Sequence, residues 1–128
     1  NMARKKLVFI IDDDTEIVHF ARQVLEDAGF DTRTAQSTED AVALLGGAAP
    51  DLVFCDMMME EIDSGVTVVK KIRKKHTDVP IFLMSNIGDA SARYLNIGTL
   101  GFTGFIQKPL NRDKLVETAR KVFEEKTG

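Results

Sequence analysis

The sequence is short of several things, and each absence narrows the reading. Among 128 residues there is one cysteine, Cys55, so no internal disulfide can form. Nothing calls for an oxidising compartment. Basic residues are not in excess: 17 Lys and Arg stand against 20 Asp and Glu, for a net charge of −3. That leaves no electrostatic footprint for direct nucleic-acid binding. No uncharged apolar run approaches a membrane span. Asn1 to Lys6 lacks the apolar run and cleavage site of a signal peptide ahead of "LVFIIDDD". There is no linker, low-complexity tract or internal sequence repeat. No cluster of histidine and cysteine exists to hold a soft metal. These absences point to a cytoplasmic domain.

What is present is one domain's worth of chain. The hydrophobic fraction of 44% and charged fraction of 29% are ordinary for a globular protein. A domain this size buries roughly two thirds of the surface its unfolded chain exposes and needs no covalent staples. Asn1, ahead of Met2, reads as a cloning remnant. Residues 1–4 are expected to form a disordered start, and residues 5–125 the domain.

Leu7 to Ile11 is a run of β-favouring apolar residues, as in a strand buried on both faces of a parallel sheet. Ile17, Val18, Ala21, Val24, Leu25 and Ala28 then recur at helical spacing, and Gly29 follows as a stop. Phe30 to Ala35 reads as a second strand. Ser37 can cap a short helix carrying Ala41, Leu44 and Leu45, which ends at Gly46-Gly47. Leu52 to Cys55 is a third strand. A loop from Asp56 to Ser64 leads to a helix with Val66, Val69 and Ile72 on one side. Ile81 to Met84 is a fourth strand, followed by a short helix around Ala90 to Ile97. Phe102 to Ile106 is a fifth strand. Asn111 can cap the last helix, with Leu115, Ala119, Val122 and Phe123 facing inward. Five βα units in succession predict an α/β domain, a parallel sheet with helices on both faces.

In such sheets, sites gather at the carboxyl ends of the strands. Strand one ends in Asp12-Asp13-Asp14, strand three in Asp56, strand four in Ser85, and strand five near Lys108. At roughly 4 Å and an effective dielectric of about 20, each pair of like charges costs on the order of several kcal/mol. One lysine cannot offset three carboxylates, but a divalent cation can. Hard oxygen ligands favour Mg²⁺ or Mn²⁺ over Zn²⁺. A metal and a lysine around one aspartate make a phosphoryl-binding site. The free carboxylate attacks phosphorus, and the Ser85 hydroxyl donates to a phosphoryl oxygen.

"VFIIDDD", "LVFCDMMM", "IFLMS" and "FIQKPL" resemble, in order and spacing, the four signatures of the receiver domain of two-component response regulators, similar to the single-domain chemotaxis type. The resemblance runs from about Lys5 to Phe123. It implies a flavodoxin-like (βα)5 fold, a doubly wound five-stranded sheet in the order 2-1-3-4-5. It implies that Asp12 and Asp13 are the acidic metal-binding pair and Asp56 the phosphoacceptor. Met58 matches a position offering its backbone carbonyl to the metal. Ser85 and Lys108 match the residues that bind the phosphoryl group, and Phe105 the aromatic switch position. Met58 and Ile87 match positions whose polar side chains, where present, orient the water of self-dephosphorylation. Both are apolar here, which implies a long-lived aspartyl phosphate. The implied phosphodonor is a histidine kinase or phosphotransfer protein. The implied output runs through the face of the fourth predicted helix, fifth strand and last helix to a downstream protein or effector domain. Glu60 stands where the family often has proline, and Asp63-Ser64-Gly65 replaces the usual Asp-Gly pair with one residue more. Phe105 lacks a tyrosine hydroxyl, so a hydrogen-bonded switch cannot form.

Blander readings exist for the same residues. The aspartate run can start a helix, Asp13 with Glu16 as a capping box, and Asp14 is best read as a cap. Cys55 points away from Asp56 and reads as a small buried hydrophobe. Met57, Met58 and Met59 read as packing under the loop. His19 and His76 read as solvated, and Lys70, Lys71, Arg73, Lys74 and Lys75 as an exposed helix face. Phe105 can be ordinary core. "FIIDDDTE" also resembles the start of haloacid-dehalogenase-type phosphohydrolases, with Asp12 as nucleophile and Asp14 as acid/base. That reading leaves Asp56 idle and finds no acidic pair after the lysine. A third reading is a receiver-like module that is never phosphorylated.

Overall fold

The computed structural model describes residues 5–61, 63–86 and 97–127. Five strands form one parallel sheet: β1 (Leu7–Ile11), β2 (Asp31–Ala35), β3 (Leu52–Asp56), β4 (Ile81–Asn86) and β5 (Gly104–Lys108), in the order β2-β1-β3-β4-β5. Among the described residues there are four helices: α1 (Thr15–Asp27), α2 (Thr38–Gly47), α3 (Ser64–Lys75) and α4 (Arg112–Thr127). The short helix expected around Ala90–Ile97 falls, up to residue 96, outside the described residues. Ile97 itself begins a turn.

Alternate residues of the central strands feed two cores, as a period of two requires. Phe9, Ile11, Val53, Cys55, Ile81 and Leu83 pack under α2 and α3, with Val68, Val69 and Ile72 from α3. Val8, Ile10, Leu52, Phe54, Met84 and Ile106 pack under α1 and α4, with Val18, Ala21, Val24, Leu25, Leu115 and Ala119. Each fully buried aliphatic side chain contributes roughly 1.5–3 kcal/mol, so this double layer sets a rigid rim.

The helix signals act as expected at their starts. Asp14 caps α1, its Oδ1 accepting from the amides of Glu16 and Ile17. Ser37 caps α2 through the amide of Asp40. Asn111 accepts from the amide of Lys114. Gly29 ends α1 at φ 100°, a left-handed conformation that disfavours a side chain.

Several expectations are corrected. The cap of α1 is Asp14, as favoured from the sequence, and only the alternative of Asp13 with Glu16 gives way. Val68, not Val66, turns into the core beside Val69. Phe30 and Phe102 precede their strands. Phe30 closes the end of α1 through the Leu25 carbonyl. The ladder to β4 starts only at Gly104, because Thr103 pairs with Ile81 by its amide and hydroxyl. Arg73 is not part of an exposed face. Its guanidinium donates to the carbonyls of Gly101, Thr77 and Val79, tying the end of α3 to the turn before β5. Lys75 reaches the Leu45 carbonyl at 3.1 Å. His76 lies at the C-cap of α3 and is half-buried.

Candidate functional site

Strands β1 and β3 end side by side, with Ile11 paired to Cys55. The next residues, Asp12 and Asp56, therefore emerge together. β5 ends with Lys108 opposite Asn86 of β4, one residue past Ser85. Four segments remote in sequence thus meet at one rim. The Lys108–Pro109 bond there is cis.

Asp12 is fully buried. Its Oδ1 accepts from the Asp14 amide at 2.9 Å, and its own amide donates to the Ala35 carbonyl. Lys108 Nζ lies 2.7 Å from Asp12 Oδ2 and 3.7 Å from Asp56 Oδ2. Lys108 is thus the partner of the buried Asp12 Oδ2, which makes no other polar contact among the described residues. Asp12, Asp13 and Asp56 each present a carboxylate oxygen, and these oxygens lie within 4.8 Å of one another.

Burial raises the pKa of Asp12 against the pull of Lys108 and the Asp14 amide. Burial, and then the charge of Asp12, push Asp56 up to about 6, although Lys108 and the Met58 backbone amide favour its ionised form. Burial works against the Lys108 ammonium, but Asp12 and Asp56 outweigh it and hold its pKa above the ordinary value. The site is short of positive charge. Three converging carboxylates, one of them fully buried, served by a single lysine fit a divalent cation with oxygen preference.

Ser85 is buried, and its hydroxyl donates to the neighbouring Asn86 carbonyl at 3.3 Å. With Asp56, Met57 and Met58 it lines a small cavity. The Met58 side chain is 44% exposed, whereas Met57 and Met59 pack partly against the core. Phe105 lies on β5, three residues before Lys108, and is 57% exposed. Cys55 is buried on the α2–α3 side, and burial pushes its thiol up, which makes it inert. Ile87 lies outside the described residues.

The sequence matches the family described as the response regulator receiver domain over residues 8–120. The chain belongs to that family. The receiver domain is 30% identical over 119 residues to the nitrogen assimilation regulatory protein NtrX of Azorhizobium caulinodans, covering 91% of this chain and 26% of that protein. It is 33% identical over 125 residues to the C4-dicarboxylate transport transcriptional regulatory protein DctD of Rhizobium meliloti, covering 98% and 27%. A two-component response regulator from Clostridium difficile superposes with TM-score 0.86 at 27% identity, covering 97% of this chain and 100% of the other. The chemotaxis response regulator CheY4 of Vibrio cholerae gives 0.82 at 26%, covering 93% and 99%. The chain spans about a quarter to a half of the length of the curated relatives it matches. Its function class is that of a receiver in two-component signalling. Among the described residues no helix is long and apolar enough to cross a membrane.

The contacts of two residues beside the receiver site escape sequence reasoning. Gly65, in the first turn of α3, lies so close to the β3–α3 loop that a Cβ would overlap the Asp56 carbonyl oxygen and come within 2.5 Å of Met57 Cα. Its amide donates to the Met57 carbonyl at 2.6 Å. Its place after Asp63-Ser64 was the only available cue. Glu60 reaches across to Thr38, 22 residues away, with no local signal in the sequence.

Proposed function

We propose that this receiver domain accepts a phosphoryl group on Asp56 from a phosphohistidine donor, a histidine kinase or phosphotransfer protein, and thereby switches a protein-interaction face. The observation that supports this best is the grouping of the Asp56 carboxylate with Asp12, Asp13 and Lys108 at one rim. Asp12, Asp13 and Asp56, with the Met58 carbonyl, are the residues that would hold Mg²⁺, or Mn²⁺ in its place. When bound, such an ion neutralises charge on the carboxylates and the phosphoryl oxygens.

Asp56 acts as nucleophile. An Asp56 oxygen–phosphorus bond forms as the donor's nitrogen–phosphorus bond breaks, and that electron pair returns to the imidazole nitrogen. Lys108, already 3.7 Å from Asp56, pairs with a phosphoryl oxygen. The Ser85 hydroxyl leaves the Asn86 carbonyl and donates to another. Phe105, now exposed, turns inward into the space Ser85 vacates, and the surface around β5 and α4 changes shape. The chain turns over no substrate beyond its own phosphorylation and dephosphorylation. Met58 and Ile87 supply no polar group to orient an attacking water, so the aspartyl phosphate is long-lived. Loss of the phosphoryl group within seconds in buffered Mg²⁺ contradicts that reading. The setting is cytoplasmic, and the output is a downstream protein or effector domain, without direct contact of this domain to nucleic acid.

Incubation with acetyl phosphate and Mg²⁺, followed by mass spectrometry of wild type and Asp56→Asn, tests the proposal. Wild type is expected to take one phosphoryl group and Asp56→Asn none. Equal labelling, or a label on Asp12, refutes it. A folded wild type that binds no beryllofluoride in Mg²⁺ instead supports a module that is never phosphorylated.

A further inference from the structure

We infer that Glu60 is a positioning residue for the metal-binding loop: its carboxylate hooks the β3–α3 loop onto the N-terminus of α2 and so holds the Met58 backbone beside Asp56. The inference rests on the metal-binding role proposed for that loop. Thr38, the first residue of α2, donates its amide to both Glu60 oxygens at 3.2 Å and its hydroxyl to Oε1 at 2.7 Å. The first amides of a helix have no partner within it and carry partial positive charge, so a carboxylate is well placed there. Ser37 takes the Asp40 amide, and Glu60 takes the amide of Thr38. The helix end is thus shared between its own cap and a side chain from another loop.

The consequence for the site follows from where Met58 sits. On its N-terminal side, Met57 is pinned by the Gly65 amide at 2.6 Å. Two residues beyond it, Glu60 is pinned to α2. Met58 has an exposed side chain and no place in either core, so beyond its amide's bond to the Asp56 carboxylate its backbone depends on the ties to either side, Glu60 to α2 and Glu61 to the Ser64 hydroxyl among them. Met57 and Met59 pack only partly, through flexible thioether chains. A proline at position 60 would stiffen the loop from within; Glu60 restrains it from outside. Because the hook is exposed, it contributes little to global stability. Its effect is local, on the order of the segment that carries Met58.

The experiment separates these scales. In metal-free protein, Glu60→Ala is expected to speed amide exchange at residues 57–61 and leave the global unfolding midpoint unchanged. By calorimetry it is expected to weaken Mg²⁺ binding roughly fivefold, the scale of one lost hydrogen-bonded tie. Glu60→Gln removes the charge but keeps an acceptor for Thr38, and is expected to restore most of the affinity. Thr38→Val removes the hydroxyl donor and is expected to fall between. Wild-type affinity and wild-type exchange in Glu60→Ala overturn the inference. So does Glu60→Gln behaving like Glu60→Ala, which makes the effect one of charge alone. A wild type that binds no Mg²⁺ overturns the metal site itself and this role with it. A wild type that binds Mg²⁺ but takes no label from acetyl phosphate overturns the phosphoacceptor proposal and leaves the hook standing.

Discussion

Replacing Asp56 by asparagine is expected to stabilise the metal-free protein above about pH 6, although Asp56 is the proposed phosphoacceptor. Its carboxyl is pushed from an ordinary 3.8 up to about 6, first by burial and then by the Asp12 charge. A folded-state pKa above the unfolded one means that the native state binds this proton more tightly. The stability so contributed is present in full below about pH 4 and is lost as pH rises through about 6. Beyond that, the native state carries an ionised, half-buried Asp56 short of positive charge. From 3.8 to about 6, at about 1.4 kcal/mol per tenfold change in affinity, the cost is on the order of 3 kcal/mol. The amide of the Asp56→Asn variant removes the charge and keeps the shape. Urea unfolding in chelator, followed by far-ultraviolet circular dichroism between pH 4 and 8, measures the difference. The two proteins are expected to converge near about pH 4, and Asp56→Asn to lead by up to about 3 kcal/mol near pH 8. Added Mg²⁺ is expected to narrow the gap by stabilising wild type. Equal stability at pH 8, or a gap that widens toward acid, refutes the reasoning.

Lys108→Met is expected to cost about 3 kcal/mol near pH 7, because it strands the buried Asp12 carboxylate; the loss shrinks as pH falls and Asp12 takes up a proton, which thermal unfolding across pH reads directly. Gly65→Ala is expected to cost about 3 kcal/mol and to impair labelling by acetyl phosphate, because the added Cβ displaces the backbone that carries Asp56. Gly29→Ala, with open space around it and only left-handed strain, is expected to cost about 1 kcal/mol and to leave labelling intact. Arg73→Lys is expected to lose about 2 kcal/mol in chemical unfolding, since one ammonium cannot serve the carbonyls of Gly101, Thr77 and Val79 together.

The fold was legible because parallel strands buried on both faces leave unbroken apolar runs, and the helices between them keep a 3.6-residue period. Those runs located the strand ends, and the strand ends located Asp12, Asp56, Ser85 and Lys108. Caps were legible for the same local reason: Asp14, Ser37 and Asn111 act on amides two or three residues on. The limits of β5 were less so. Phe102 is apolar and buried yet outside the ladder, because hydrogen-bond register, not hydrophobicity, decides where pairing begins.

Two adjacent aspartates carry no mark in the sequence of which is buried. Only the packed structure sinks Asp12 against Lys108 and leaves Asp13 open to solvent. The sequence likewise shows a basic run on α3, while tertiary contact sends Arg73 to the Gly101 carbonyl, 28 residues away, and Lys75 to the Leu45 carbonyl, 30 residues away. The Glu60 hook and the close approach of Gly65 belong to the same class. Periodicity and capping are set by neighbours along the chain, and the sequence by itself determined them. Burial of a charge and the partner of a long-range contact depend on which surfaces meet, and only the tertiary structure decided those.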